Sequence, residues 1–159
     1  MSFATFSGPV RCGTVRYGAN ENTGLVMLAQ SYDTGDLTGT ATGNYDYLLG
    51  YLPAGSQIVN ILIDQVVAAT AGTMTISVGN ASGGAQLSAA VATTAGGRFT
   101  GTATAATQLA WQTSTSADTS VYIRNVVGTA TLTAGRAIVT VVYVQRASNG
   151  AQAPTAFEN

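Results

Sequence analysis

Residues 52–79 read LPAGSQIVNILIDQVVAATAGTMTISVG, and the reading of this stretch decides the fold. It opens on a Pro-Ala-Gly turn, Pro53 to Gly55, and continues into Ile58, Val59, Ile61, Leu62, Ile63, Val66 and Val67, the densest β-branched run of the chain. Its second half alternates. Met74, Ile76 and Val78 fall on one side and Thr73, Thr75 and Ser77 on the other, the period-two pattern of a strand with one buried face. Two strands joined by a turn-rich connection are expected here, at the centre of the core.

Working outward towards the N-terminus, Tyr45 to Leu52 (YDYLLGYL) is a lead-in strand with Tyr45, Tyr47, Leu49 and Tyr51 on one side. Tyrosines combine large apolar area with a polar tip, which places them at a core margin or an interface. Ser31 to Tyr47 is punctuated by Gly35, Gly39 and Gly43 and reads as loop with at most one weak strand; Leu25 to Ala29 is a short apolar strand. Residues 1–24 read as an arm followed by an edge strand over Val10 to Tyr17.

Towards the C-terminus, Asn80 to Gly84 is a tight polar connection, followed by short strands over Ala85 to Ala92, Arg98 to Ala103 and Thr107 to Gln112. Ala103 to Gln112, which carries Trp111, has enough Ala, Gln and Leu for a helix, but its threonines and the surrounding rhythm favour a strand. Thr119 to Val127 is a strand with Val121, Ile123 and Asn125 opposed to Tyr122, Arg124 and Val126. Arg136 to Arg146 (RAIVTVVYVQR) is β-branched on both faces, which predicts a strand internal to a sheet and covered on both sides. The tail, residues 147–159, is polar, contains Pro154 and carries one isolated aromatic, Phe157.

Eight to ten short strands with no convincing amphipathic helix predict an all-β protein: a two-sheet antiparallel β-sandwich, jelly-roll-like, with extended N- and C-terminal arms. A closed barrel fits the same strand count. The expected division is an N-terminal arm and edge strand over 1–24, a sandwich domain over 25–146 and a C-terminal arm over 147–159.

Composition narrows the function. Of the 159 residues 46% are hydrophobic and only 8% charged, against a usual charged share of about a quarter. Disordered chains show the opposite balance. A surface of Thr, Ser, Ala and Gly suits a protein covered by neighbours. All six basic residues are arginines, which are favoured at interfaces, although a genome rich in G and C would produce the same bias. The net charge of −1 gives no basic footprint for nucleic acid or an anionic membrane. Cys12 is the single cysteine, so no internal disulfide forms, and the N-terminus has no signal-peptide pattern. Ile58 to Ala69, interrupted by Asn60, Asp64 and Gln65, is too short to span a bilayer as a helix.

With neither histidine nor lysine, catalytic triads, Schiff-base lysines and the phosphate-loop lysine are unavailable, and no catalysis and no cofactor are expected. Cys12 has no neighbouring base and reads as structural. Asp33-Thr34-Gly35 matches the loop with which aspartic peptidases pair two carboxylates around a shared proton, which in this chain would require a dimer. The competing reading is a turn made by Asp and Gly. Asp33 and Asp36 could also hold a calcium ion with loop carbonyls, although a full cation-loop spacing is missing. Asn80-Ala81-Ser82 fits a glycosylation sequon and reads as a turn.

The segments YLPAGSQIVNILIDQV (51–66), TMTISVGNASGG (73–84) and GRAIVTVVYVQR (135–146) together resemble the small Ala/Gly/Thr-rich structural proteins of tailed-bacteriophage virions, in particular jelly-roll capsid decoration or cement proteins. That resemblance implies a non-enzymatic protein, made in the bacterial host cytoplasm and placed on the capsid exterior, that binds the major capsid protein and neighbouring copies of itself. Other stations on the particle (connector, tail or fibre) stay open. A carbohydrate-binding sandwich using Tyr45, Tyr47, Tyr51 or Trp111 as stacking platforms is a second reading, and the dimeric peptidase through Asp33 a distant third. The residues expected at partner interfaces are Phe3, Phe6, Arg11, Arg16, Tyr45, Tyr47, Tyr51 and Phe157. The two arms are expected to order against neighbouring chains, because fixing a residue costs about 1–2 kcal/mol of backbone entropy and a polar tail cannot supply it alone.

Overall fold

The computed structural model describes residues 25–101, 106, 110–111 and 117–146. The expected edge strand over Val10 to Tyr17, Cys12 and the interface candidates Phe3, Phe6, Arg11, Arg16 and Phe157 lie outside the described residues. Among the described residues there are eight strands: β1 (Leu25–Asp33), β2 (Gly43–Leu52), β3 (Ser56–Thr70), β4 (Thr73–Gly79), β5 (Ser88–Ala92), β6 (Gly97–Thr100), β7 (Thr119–Gly128) and β8 (Ala134–Arg146). They form two antiparallel four-stranded sheets with the orders β1-β8-β3-β6 and β2-β7-β4-β5. The chain changes sheet at every connection except β4 to β5. Interleaved Greek keys of this kind make a jelly roll, and the two sheets stay separate instead of closing into a barrel.

The stretch from Leu52 to Gly79 supplies one central strand to each sheet. Its opening turn is held by the Ser56 amide donating to the Pro53 carbonyl at 3.0 Å, with Gly55 at φ +77° where a side chain would be strained. β3 buries Ile61 and Ile63, and β4 buries Met74, Ile76 and Val78. Only Ala71 and Gly72 separate β3 from β4, yet the two strands belong to different sheets and form no hairpin. The sharp crossing brings Gly72 against backbone: a Cβ there would lie 2.4 Å from the Ala130 oxygen and 3.0 Å from that of Gly128.

The interior is completed by Val121 and Ile123 of β7 and by Val139 and Val141 of β8, all fully buried. Three core residues come from loops: Leu87 just before β5, and a facing pair. Leu37 and Leu132 are buried between β1–β2 and β7–β8 loops that are laced together, the Leu37 amide donating to Gly135, that of Gly39 to Leu132 and that of Leu132 to Thr40, at 2.8–2.9 Å. Asn125 is fully inside on β7, facing the core as its register predicts, and neither of its amide atoms has a hydrogen-bond partner among the described residues.

Two expectations are corrected. Ala106, Ala110 and Trp111 are helical, so the strand expected over Thr107 to Gln112 is not formed there; Ala, Leu and Gln act as the helix formers they are. The Trp111 indole packs on the core and its Nε1–H donates to the Leu87 carbonyl at 2.5 Å. The second correction is in β2. A bulge between Leu48 and Gly50 shifts the pairing with β7 by one residue, so Tyr51 leaves the face of Tyr45 and Tyr47 and is 56% exposed. β8 is internal to its sheet, paired with β1 on one side and β3 on the other. Its second face, Ile138, Thr140, Val142 and Val144, is only half-covered.

Candidate functional site

That half-covered face belongs to the outer surface of the β1-β8-β3-β6 sheet. The strand register sets its residues in rows. Met27, Val144 and Gln57 form one row, Ala29, Val142 and Asn60 the next, and Ser31, Thr140, Leu62 and Thr100 a third. A bulge between Ile58 and Asn60 adds Val59 to this side, 47% exposed beside Met27 at 64%. Ser31 and Thr140 exchange a hydroxyl hydrogen bond of 2.8 Å within the third row.

The fourth row carries charge. Asp33, Ile138, Asp64 and Arg98 stand side by side across the four strands. Arg98 grips Asp64 with two bonds, Nε to Oδ1 at 2.5 Å and Nη2 to Oδ2 at 3.0 Å. Arg136 grips Asp33 in the same two-point way, at 3.1 and 2.5 Å. A planar guanidinium fork fits a carboxylate in this manner and holds it ionised. The Arg136 fork, helped by the Gly35 amide at 2.9 Å, keeps the Asp33 carboxyl well below its ordinary 3.8, at about 2. Arg98 lowers Asp64 in the same sense. Hydrogen bonds from the Thr38 hydroxyl and amide lower Asp36.

These contacts bear on the two carboxylate readings. A peptidase dyad sets two carboxyls against each other around a shared proton, whereas here Asp33 is paired with the Arg136 guanidinium. Asp36 spends its Oδ1 on Thr38, and among the described residues no group of three His, Cys, Asp or Glu side chains could hold a metal ion. Asp33-Thr34-Gly35 is the end of β1 turning into a loop, with the Thr34 Oγ1 accepting the Ala137 amide at 3.0 Å.

The outer face of the other sheet has a different character. β2, β7 and β4 present Asn44, Asp46, Ser120, Arg124, Thr73, Thr75 and Ser77 there, together with Leu48, Tyr51 and Tyr122. Part of it is tied to the β4–β5 loop: Arg124 donates to the Gly83 carbonyl at 2.7 Å and the Ser82 hydroxyl to Asp46 at 2.9 Å. Asn80 to Ser82, the sequon, lies in this loop.

Tyr45 and Tyr47 point inward at the seam where the β1 and β2 edges meet. Tyr45 packs on the core and its hydroxyl donates to the Ala41 carbonyl at 3.0 Å. Tyr47 stacks on Tyr32 with ring centres 5.4 Å apart, and its burial raises the phenol above its ordinary value. Gln30 closes the seam, its Nε2 donating to the Tyr51 carbonyl at 2.9 Å and the Tyr143 hydroxyl at 3.1 Å. Of the interface candidates that are described, Tyr51 alone stands on an outer face. Sequence reasoning missed Met27, Val59 and Val142 as surface residues. The signal available was β8 itself, apolar on both faces.

A cavity of about 240 Å³ opens at one end of the sandwich between Leu52, Pro53, Ile58, Leu87 and Trp111. Its lining is mostly apolar, with Ser56, Asn80 and Thr119 as the polar members, and it holds no acidic or basic side chain.

No family model and no curated protein matches the chain. Solved structures do. The chain is similar to one from the capsid of Ralstonia phage GP4, at 22% identity and a TM-score of 0.54, over 87% of this chain and 93% of that one. A chain from the acidic stable capsid structure of Helicobacter pylori bacteriophage KHP30 gives 16% identity and a TM-score of 0.52, over 80% and 99%. One from the cyanophage Pam1 capsid asymmetric unit gives 22% and 0.50, over 89% and 98%. At these identities the likeness is one of fold, and it extends over 80–89% of this chain and 93–99% of the others.

Proposed function

We propose that this chain is a non-enzymatic structural protein of a tailed-phage virion, placed on the capsid exterior as a decoration or cement protein that binds the major capsid protein and neighbouring copies of itself. The observation that carries this reading is the near end-to-end likeness to chains from three phage capsids. The chemistry of the chain agrees with it. Histidine and lysine are absent, and the one suggestive carboxylate is locked to Arg136.

On this reading, protein made in the host cytoplasm assembles onto the shell, with residues 25–146 as the compact body. Residues 1–24 and 147–159 act as arms, reaching neighbouring subunits through Phe3, Phe6, Arg11, Arg16 and Phe157. Tyr51 on the outer face adds a contact with a neighbour, and Tyr45 and Tyr47 stiffen the seam behind it.

The test is particle-based. Mass spectrometry of purified virions should find the chain at a copy number comparable with that of the major capsid protein, and particles lacking it should take it up from solution on their outer surface. A copy number of about a dozen or fewer, with density at the tail or connector, would move the protein to that station; absence from the particle would end the virion reading. Removal of 151–159 should leave melting of the free protein nearly unchanged and lower occupancy on the particle. A truncated chain that fails to fold, or binds equally well, would refute the arm.

A further inference from the structure

The outer face of the β1-β8-β3-β6 sheet is built for contact, and its charge pattern indicates with what. Four of the exposed large hydrophobic residues, Met27, Val59, Val66 and Val67, lie on this side. Solvent-facing sheet surfaces ordinarily alternate to polar residues, whereas here β8 places Ile138, Val142 and Val144 outward. Among the described side chains of the four strands the face carries two aspartates and two arginines, and each aspartate is gripped by one arginine. Among the described side chains it offers a charged partner nothing unpaired to read.

We propose that this face is the surface on which a second copy of the chain packs, sheet against sheet, centred on Ala29, Val142 and Val59. Charge placement favours an identical partner. The ion-pair row begins at Asp33, four residues from Ala29 along β1, or about 13 Å at a strand's rise. In a two-fold arrangement about the apolar rows the charged rows of the two copies fall on opposite sides. Their separation of roughly 26 Å is several times the screening length in physiological salt, so like charges never meet.

The size is adequate. Three strands of some nine residues and the four-residue β6, about 4.8 Å apart, cover roughly 500 Å² in projection, so two copies would bury about 1,000 Å², the smallest area expected of a specific interface. The rim is equally suited. β1 is a nine-residue edge strand, LVMLAQSYD, with no proline, no bulge and no charge before Asp33. The other edges are protected: β5 and β6 are five and four residues long, and β2 carries Asp46 and a bulge. This inference concerns the purified chain alone and goes beyond the virion reading.

The experiment compares the full chain with Met27→Glu/Val59→Glu and with Leu48→Glu, whose exposed side chain lies on the opposite outer face. Equilibrium sedimentation across a dilution series should show self-association, with the double variant weakening it by about tenfold or more and Leu48→Glu leaving it unchanged. Circular dichroism checks that each variant keeps its β structure. A photoreactive residue at position 59, in a mixture of isotopically light and heavy chains, should give light–heavy cross-links to Gln57, Asn60 or Val142, which this two-fold places over it. A wild-type chain that stays monomeric throughout the series overturns the proposal, as does association indifferent to the double variant. So do cross-links confined within one chain to residues 1–24 or 147–159, which would mean the chain covers its own face, or cross-links formed only to another protein on particles. Particle binding, read separately, reports on the virion assignment whatever the outcome here.

Discussion

The two sheets of this sandwich have equivalent inner faces and unlike outer ones. Inside, Ile61, Ile63, Val139 and Val141 meet Met74, Ile76, Val78, Val121 and Ile123, and every one is fully buried. Outside, one sheet shows Met27, Val59, Val142 and two self-contained ion pairs, whereas the other sets Leu48, Tyr51, Tyr122 and Val126 among threonine, serine and asparagine and is partly covered by its own loop through Arg124 and Asp46. The difference separates two demands on the sequence. Folding requires one apolar face per sheet; a second apolar face on one sheet serves something other than folding.

The comparison is broken most directly in the core. Ile61→Ala and Ile76→Ala, one in each sheet, should each cost about 2–5 kcal/mol in denaturant unfolding, because both create a cavity in a fully packed interior. Val59→Ala, measured at a dilution where the chain is monomeric, should stay within about 0.5 kcal/mol, as exposed positions do. Equal losses for Ile61 and Val59 would mean the faces of β3 are reversed.

A smaller effect of opposite sign is expected at Asn125. Its amide is buried without a partner among the described residues, and such a group carries a desolvation penalty of about 1–3 kcal/mol; Asn125→Val removes it and should stabilise the fold by about 1 kcal/mol. A loss of stability in the same denaturant assay would show that the amide is bonded in solution.

The smallest effect concerns pH and the ion pairs of the apolar face. With no histidine, stability should be nearly flat between about pH 5 and pH 8. Asp33 titrates lower in the folded chain than in the unfolded one, so its contribution is complete above the unfolded value of 3.8 and is lost as pH falls through about 2. Asp33→Asn should therefore flatten part of the acid limb of thermal unfolding and leave the melting temperature at neutral pH little changed, since the pair is solvent-exposed. A large drop at neutral pH would give Asp33 a role that the ion pair does not explain.

What was legible in the sequence follows from the same contrast. Period-two alternation in TMTISVG and TSVYIRNVV identified the buried side of β4 and β7, Asn125 included, because burial on one face leaves a record in every second residue. It also recovered the turn at Pro53 to Gly55 and the internal place of β8. Three things left no such record. The bulge at Leu48–Gly50 turns Tyr51 outward without any break in the tyrosine rhythm. Leu37 and Leu132 join the core from Gly- and Thr-rich loops, where isolated leucines have no period. The assignment of β3 and β4 to different sheets depends on a two-residue crossing at Ala71 and Gly72 that looks in sequence like an ordinary hairpin turn. Of the assembly surface, the second apolar side of β8 was visible, but the neighbours that extend it, Met27 and Val59, are set by cross-strand register, which a sequence does not print.

The pairing of the first strand with the last has a mechanical consequence. Leu25 of β1 lies opposite Arg146 of β8, so the polypeptide enters and leaves the body side by side, at one end of one sheet. A pull applied through both ends acts across a single hydrogen-bonded pair and opens the β1–β8 ladder one rung at a time, like a zip, instead of shearing all nine positions together. Were both ends fastened to the same support, tension in that support would pass from one tether to the other through this corner. The rest of the sandwich would then ride on the load without carrying it.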